Sequence, residues 1–241
     1  MQAKDRLIVA LDGDWELDEL LKIAGSLSGE IGMVKVGKRN FTRFGPEVIK
    51  GLNKLGLSIF LDLKFHDIPN TVAQACEAAV ALNVKIINVH ASGGEAMMKR
   101  AREAVDETAK RLNVTPPLLI AVTVLTSMDQ EQLKLVGIET DVKEQVARLA
   151  KLAKSCKLDG VVASAKEVGI IREAVGDDFL VVTPGIRPAG AVKNDDQSRV
   201  LTPAKAVEQG VDYIVVGRPV YGAESPLEAS RMIVSEMAKV S

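Results

Sequence analysis

Eight short runs of Val, Ile and Leu punctuate this chain, and they constrain its fold more than any other feature. They are RLIVALD (6–12), GMVKVG (32–37), LSIFLDL (57–63), KIINVH (85–90), LLIAVTVL (118–125), DGVVAS (159–164), FLVVTPG (179–185) and DYIVVG (212–217). Within them apolar and polar residues show little strict alternation, as expected for parallel strands covered by helices. Helix-start signals lie between the runs. Thr71 with Gln74 and Ser164 with Glu167 fit capping boxes, while Ser225-Pro226 with Glu228 and Thr202-Pro203 fit a cap followed by proline. Eight strand–helix units in 241 residues predict a single-domain (β/α)8 TIM barrel over residues 1–241. A doubly wound open sheet fits less well, because LDGDWEL and not G-x-G-x-x-G follows the first run.

Two connections stand out. GIRPAGAVKNDDQSRVLT, after the seventh run, is a polar stretch longer than compact domains usually carry without a function, so residues 185–201 are a candidate lid. TSMDQEQLKLVGIET, after the fifth, reads as a short extra helix before a longer one at 141–156.

A formal net charge of -1 supplies no basic field for nucleic acid or an anionic membrane, although a local site can still hold a small phosphorylated molecule. Cys76 and Cys156 fall in different predicted helices without ligand spacing, which suits reduced thiols. MQAKDRLIVALD has no signal-peptide pattern and no apolar run reaches the length of a membrane span, so a cytoplasmic protein is expected.

In such a barrel the active site is built at the C-terminal ends of the strands. Those ends carry Asp12, Lys35, Asp62 with Lys64, His90, Thr126, Arg187 and Arg218. Side chains two apart on a strand share a face, so Asp62 and Lys64 point together into the barrel mouth, where Asp12 and Lys35 can join them. Charges gathered in a partly dry site are costly unless paired, and both signs are present. Carboxylates around Lys64 favour its ammonium form, which suits proton donation better than attack on a carbonyl. A structural ion-pair net is the plainer alternative. Gly217 and Arg218 of VVGRPVY, with Arg187 of TPGIRP, form a second constellation, placed where barrels of this kind often bind phosphate. His66 reads as a surface or structural residue, and His90 as either core packing or support for the site.

D-x-K-x-x-D-I-P-N-T at 62–71, VALD at 9–12, VKVGK at 34–38, NVHASGG at 88–94, VTVLTS at 122–127, TPGIRP and VVGRPVY together resemble the orotidine 5'-phosphate decarboxylase family of bacterial type. The likeness runs from the first strand to the eighth. It implies conversion of orotidine monophosphate to uridine monophosphate, the last step of pyrimidine nucleotide synthesis, by a homodimer without metal or organic cofactor. It further implies that Lys64 protonates C6 of the pyrimidine, that Asp62 lies near the substrate carboxylate, and that Asp67 reaches into the partner's site. By the same likeness Asp12 and Lys35 contact ribose hydroxyls, Thr71 contacts the ribose from the partner subunit, and Thr126 sits by the pyrimidine edge. Gln197 and Arg218 hold the phosphate, with Arg187 and Gly217 beside them.

D-x-K-x-x-D alone also occurs in related sugar-phosphate barrels, including metal-dependent decarboxylases and synthases. Those carry a magnesium-binding glutamate at the position resembling Lys35, and lysine there works against a divalent cation. Epimerases of this barrel type need several metal-ligating histidines, whereas this chain has two histidines in all. A non-catalytic nucleotide sensor would not require so costly a charged array.

Overall fold

In a computed structural model, residues 1–188 and 201–240 are described. The eight apolar runs form eight strands: β1 (Leu7–Ala10), β2 (Met33–Gly37), β3 (Ile59–Phe65), β4 (Ile86–His90), β5 (Leu118–Val122), β6 (Gly160–Val162), β7 (Leu180–Thr183) and β8 (Tyr213–Val216). Each pairs in parallel with its sequence neighbours, and β8 pairs with β1 to close the barrel. The predicted (β/α)8 barrel is present.

Closure explains why the strands read as nearly continuous apolar runs: both faces are buried. Inward positions build a small inner core that includes Ile8, Met33, Phe60, Ile86, Ile120, Val182 and Val215. Outward positions such as Val9, Val34, Leu61, Ile87, Leu119, Val181 and Ile214 join the larger core beneath the helices. Above the inner core, toward the C-terminal ends, the same inward rows change from aliphatic to charged on β2 and β3. Phe60 is followed inward by Asp62, and Met33 by Lys35.

Several predicted helix boundaries hold. Ser225 Oγ accepts the N–H of Glu228, and Thr202 Oγ1 accepts that of Lys205, each cap being followed by proline. The Ser164 N–H donates to Glu167 at 3.0 Å. The extra helix after β5 spans Gln130–Leu135 and precedes a longer one at Val142–Ser155. Thr71 is a correction. The helix after β3 begins at Pro69 and runs to Ala81, with Ile68 as its cap, so Thr71 lies inside the first turn. Proline needs no N–H partner at the first helical position and forces the residue before it into an extended conformation, which sets the cap three residues earlier than Thr71.

After β7, Ile186 bridges Leu201, and the Arg187 N–H donates to the Leu201 carbonyl at 3.0 Å. The two ends of the candidate lid are therefore tied together. Its middle, with Gln197, lies outside the described residues. Among the described residues no helix is long and apolar enough to cross a membrane.

Candidate active site

Four charged side chains meet at the C-terminal mouth of the barrel. Lys35, on β2, donates to both Asp12 oxygens at 3.2 and 3.1 Å and stands 3.4 Å from Asp62 Oδ2. Lys64, on β3, donates to Asp62 Oδ1 at 2.6 Å. The result is a chain of alternating sign: Asp12, Lys35, Asp62, Lys64. Gly37 at the end of β2 makes room for it, because a Cβ there would come within 2.9 Å of Asp12 Oδ1 and 3.1 Å of Lys35 Nζ.

Lys35 and Asp62 are buried. Burial alone would strip the charge from both, yet in each case the neighbours win. The Asp62 and Asp12 carboxylates hold the Lys35 ammonium above the ordinary lysine range. Lys35, Lys64 and a hydrogen bond from Asn88 hold Asp62 below the usual carboxylate range. Both sites stay ionised at neutral pH because each supplies the other's counter-charge.

The strand that carries Asp62 and Lys64 is less regular than side-chain alternation predicts. Leu61 pairs with Ile87 and Phe65 with Val89, so four steps on β3 face two on β4. Lys64 takes the left-handed backbone conformation, with φ of 53°, inside this bulge. Bulges of this kind re-aim side chains next to active sites. The freed Lys64 N–H donates to Asn88 Oδ1 at 2.8 Å, and Asn88 Nδ2 donates to Asp62 Oδ1 at 2.7 Å. Asn88 was missed as a functional residue. Its signal is a fully buried polar side chain between Ile86 and His90 on the inward row of β4.

A cavity of about 290 Å³ opens beside the charged chain. It is lined by Asp12, Lys35, Asp62 and Lys64 together with Pro184, Gly185, Arg187, Val215, Gly217, Arg218 and Tyr221. Gly217 caps the short helix Arg218–Tyr221. The phosphate constellation expected on the loops after β7 and β8 thus shares one pocket with the charged chain. Tyr221 was not singled out in the sequence; its ring meets Trp15 edge-on, with centroids 5.4 Å apart.

Other expected residues lie elsewhere. Asp67 and Thr71 are exposed and do not line this cavity, and the Asp67 carboxylate accepts the N–H of Ile68. Thr126 is half-buried after β5 and is also outside the lining. His66 is exposed, and its ring lies 5.3 Å from that of half-buried His90. Burial, aided by the charges of His66, Lys38 and Lys64, pushes His90 down to about 4. His90 is therefore neutral near pH 7.

Comparison with known proteins gives this geometry its relatives. The family model described as Orotidine 5'-phosphate decarboxylase / HUMPS family matches residues 5–233. The chain belongs to this family. A curated relative from Moorella thermoacetica, named orotidine 5'-phosphate decarboxylase, is 52% identical over 241 residues, covering 100% of this chain and 95% of its own. One of the same name from Saccharophagus degradans is 50% identical over 236 residues, covering 98% of this chain and 96% of its own. Among solved structures, orotidine 5'-phosphate decarboxylase from Lactobacillus acidophilus superposes with a TM-score of 0.83 at 42% identity, covering 96% of this chain and 98% of that one. The family resemblance carried by the strand-end motifs is thus met by relatives matching nearly the whole chain.

Proposed function

We propose that this chain, acting as one catalytic unit over residues 1–241, converts orotidine 5'-monophosphate to uridine 5'-monophosphate and carbon dioxide in pyrimidine nucleotide synthesis. The observation that carries the proposal is the alternating chain Asp12–Lys35–Asp62–Lys64 at the barrel mouth of a member of this family. When carbon dioxide leaves C6, the electrons of the broken C–C bond stay on a carbon that the pyrimidine ring delocalises poorly. A fixed ammonium in a water-poor site stabilises such charge far better than bulk water does. Lys64 delivers a proton to C6 as the bond breaks, becomes an amine, and recovers its proton from solvent. Asp62 faces the departing carboxylate and orients Lys64. Asp12 and Lys35 take the ribose hydroxyls, and Thr126 the pyrimidine edge.

Arg187, Arg218 and the Gly217 backbone hold the phosphate, together with Gln197. Phosphate binding far from C6 supplies energy that can be spent on assembling the site. Asp67 and Thr71 complete the site of the partner in a homodimer. Their exposure outside their own cavity supports this, as does neighbouring Ile68, which is 67% exposed.

The proposed reaction needs no metal. Lys35 Nζ, 3.1 Å from Asp12 and 3.4 Å from Asp62, already places a cation between the two carboxylates, and a divalent ion there would meet like charge. Purified protein given orotidine monophosphate in excess EDTA, followed by ultraviolet absorbance, tests the assignment. Turnover undiminished by the chelator is expected. A folded protein that leaves the spectrum unchanged overturns the proposal, and turnover abolished by EDTA points to a metal-dependent relative.

A further inference from the structure

We propose that Asn88 is a positioning residue for this decarboxylation, clamping the Lys64 backbone in its bulge and fixing the Asp62 carboxylate against the Lys64 ammonium. The role rests on the function proposed above and extends it to a side chain outside the cavity lining.

Asn88 is fully buried on β4, on the inward row between Ile86 and His90. Its amide has one workable orientation. The Lys64 N–H can only donate, so it requires the Asn88 oxygen, which it meets at 2.8 Å. The ionised Asp62 carboxylate can only accept, so it requires the Asn88 NH2, which it meets at 2.7 Å. Flipping the amide would set oxygen against carboxylate and N–H against N–H. One rigid side chain therefore ties together the backbone of the proton donor and the side chain of its counter-ion.

Each tie answers a specific problem. The bulge between Leu61 and Phe65 removes the strand partner of the Lys64 N–H, and the left-handed backbone of Lys64 is disfavoured for a residue with a Cβ. Asn88 Oδ1 replaces the lost partner and holds that conformation. Asp62 Oδ1 receives both Asn88 Nδ2 and Lys64 Nζ, while Oδ2 faces Lys35, so both carboxylate oxygens are committed and the group cannot rotate freely. A site of this kind loses rate steeply when a reacting group shifts by about an ångström. Burying an amide is costly unless every bond is made, and an aliphatic residue like neighbouring Ile86 would fill the space equally well. Packing alone does not call for asparagine here.

The test compares wild type, Asn88→Ala and Asn88→Asp for turnover of orotidine monophosphate, for affinity toward uridine monophosphate, and for the pH profile of kcat. Asn88→Ala is expected to lose roughly 100-fold in kcat while KM and product affinity stay near wild type. The acid limb of its kcat profile should move to higher pH, because Asp62 has lost a donor to its ionised form. Asn88→Asp keeps the size and the acceptor for Lys64 but sets a second carboxylate against Asp62. It should lose more rate and move the same limb further, and it carries the test if the alanine variant does not fold. Wild-type kcat with an unmoved limb overturns the role, as does a loss of kcat matched by an equal loss of product affinity. Failure of both variants to fold would make Asn88 a residue of stability and overturns it too. Wild-type protein that does not turn over the nucleotide removes the proposed function itself, a result distinct from all of these.

Discussion

Burial works against the charges on Lys35 and Asp62, and their contact with each other, joined by Asp12 on one side and by Lys64 and Asn88 on the other, reverses it. Removing one member therefore exposes the cost of the other. Asp62→Ala leaves the buried Lys35 ammonium with Asp12 alone, and breaking such a pair costs about 3–5 kcal/mol. The pH dependence follows from the sign of the shift. Asp62 has a folded-state value below its ordinary 3.8, so its contribution is complete above that value and is lost as pH falls through the lower folded one. Urea unfolding at pH 7 should show a large gap between wild type and Asp62→Ala, narrowing only below about pH 4. An equal gap at pH 3 and pH 7, or none at either, would contradict this. At this scale Asp12, Lys35, Asp62 and Lys64 were legible because each is a charge at the end of an apolar run. Asn88 was visible only as part of a motif, since a buried amide matters through partners that the sequence does not place beside it. The left-handed Lys64 was not legible at all, because lysine carries no turn signature of the kind Gly or Asn would give.

The strands and the extra helix at Gln130–Leu135 followed directly from periodicity and length, the strongest local signals in the chain. The start of the Pro69–Ala81 helix did not, because Thr71 with Gln74 offered a capping pattern that Pro69 pre-empted. Long-range staples at the opposite, N-terminal end of the strands were equally hidden. Arg172, on the helix Val168–Val175, donates to the carbonyls of Asp177, Phe179 and Gly210 and to Asp212 at 2.8 Å. Asp212 in turn accepts the Val181 N–H at 2.8 Å, joining the starts of β7 and β8. Arg172→Ala should lower stability by about 1–3 kcal/mol, since it removes the donor shared by three carbonyls and a partly buried carboxylate. Denaturant unfolding should show a lower midpoint at unchanged m-value, with uridine monophosphate affinity unaltered. A midpoint equal to wild type would rule out the staple.

For the whole molecule, barrel closure places the charged chain and the arginines that follow β7 and β8 around one cavity, although they come from opposite ends of the sequence. That convergence was legible once eight strands were counted, because the fold itself dictates which strand ends meet. The proposed pairing of two subunits was not, since spacing along one chain says nothing about a second copy. It can be tested by mixing Lys64→Ala with Asp67→Ala, each expected to be nearly inactive alone. If Asp67 serves the partner, a hybrid dimer has one site with both lesions and one with neither, and activity should return to about a quarter of wild type in a statistical mixture. No recovery in demonstrated hybrid dimers would place Asp67 in its own chain's site or in none. The proton donor is tested most directly by Lys64→Ala, measured for orotidine monophosphate decarboxylation and for uridine monophosphate binding in the same preparation. Turnover should vanish while the product still binds; a variant that keeps decarboxylating would contradict protonation of C6 by Lys64.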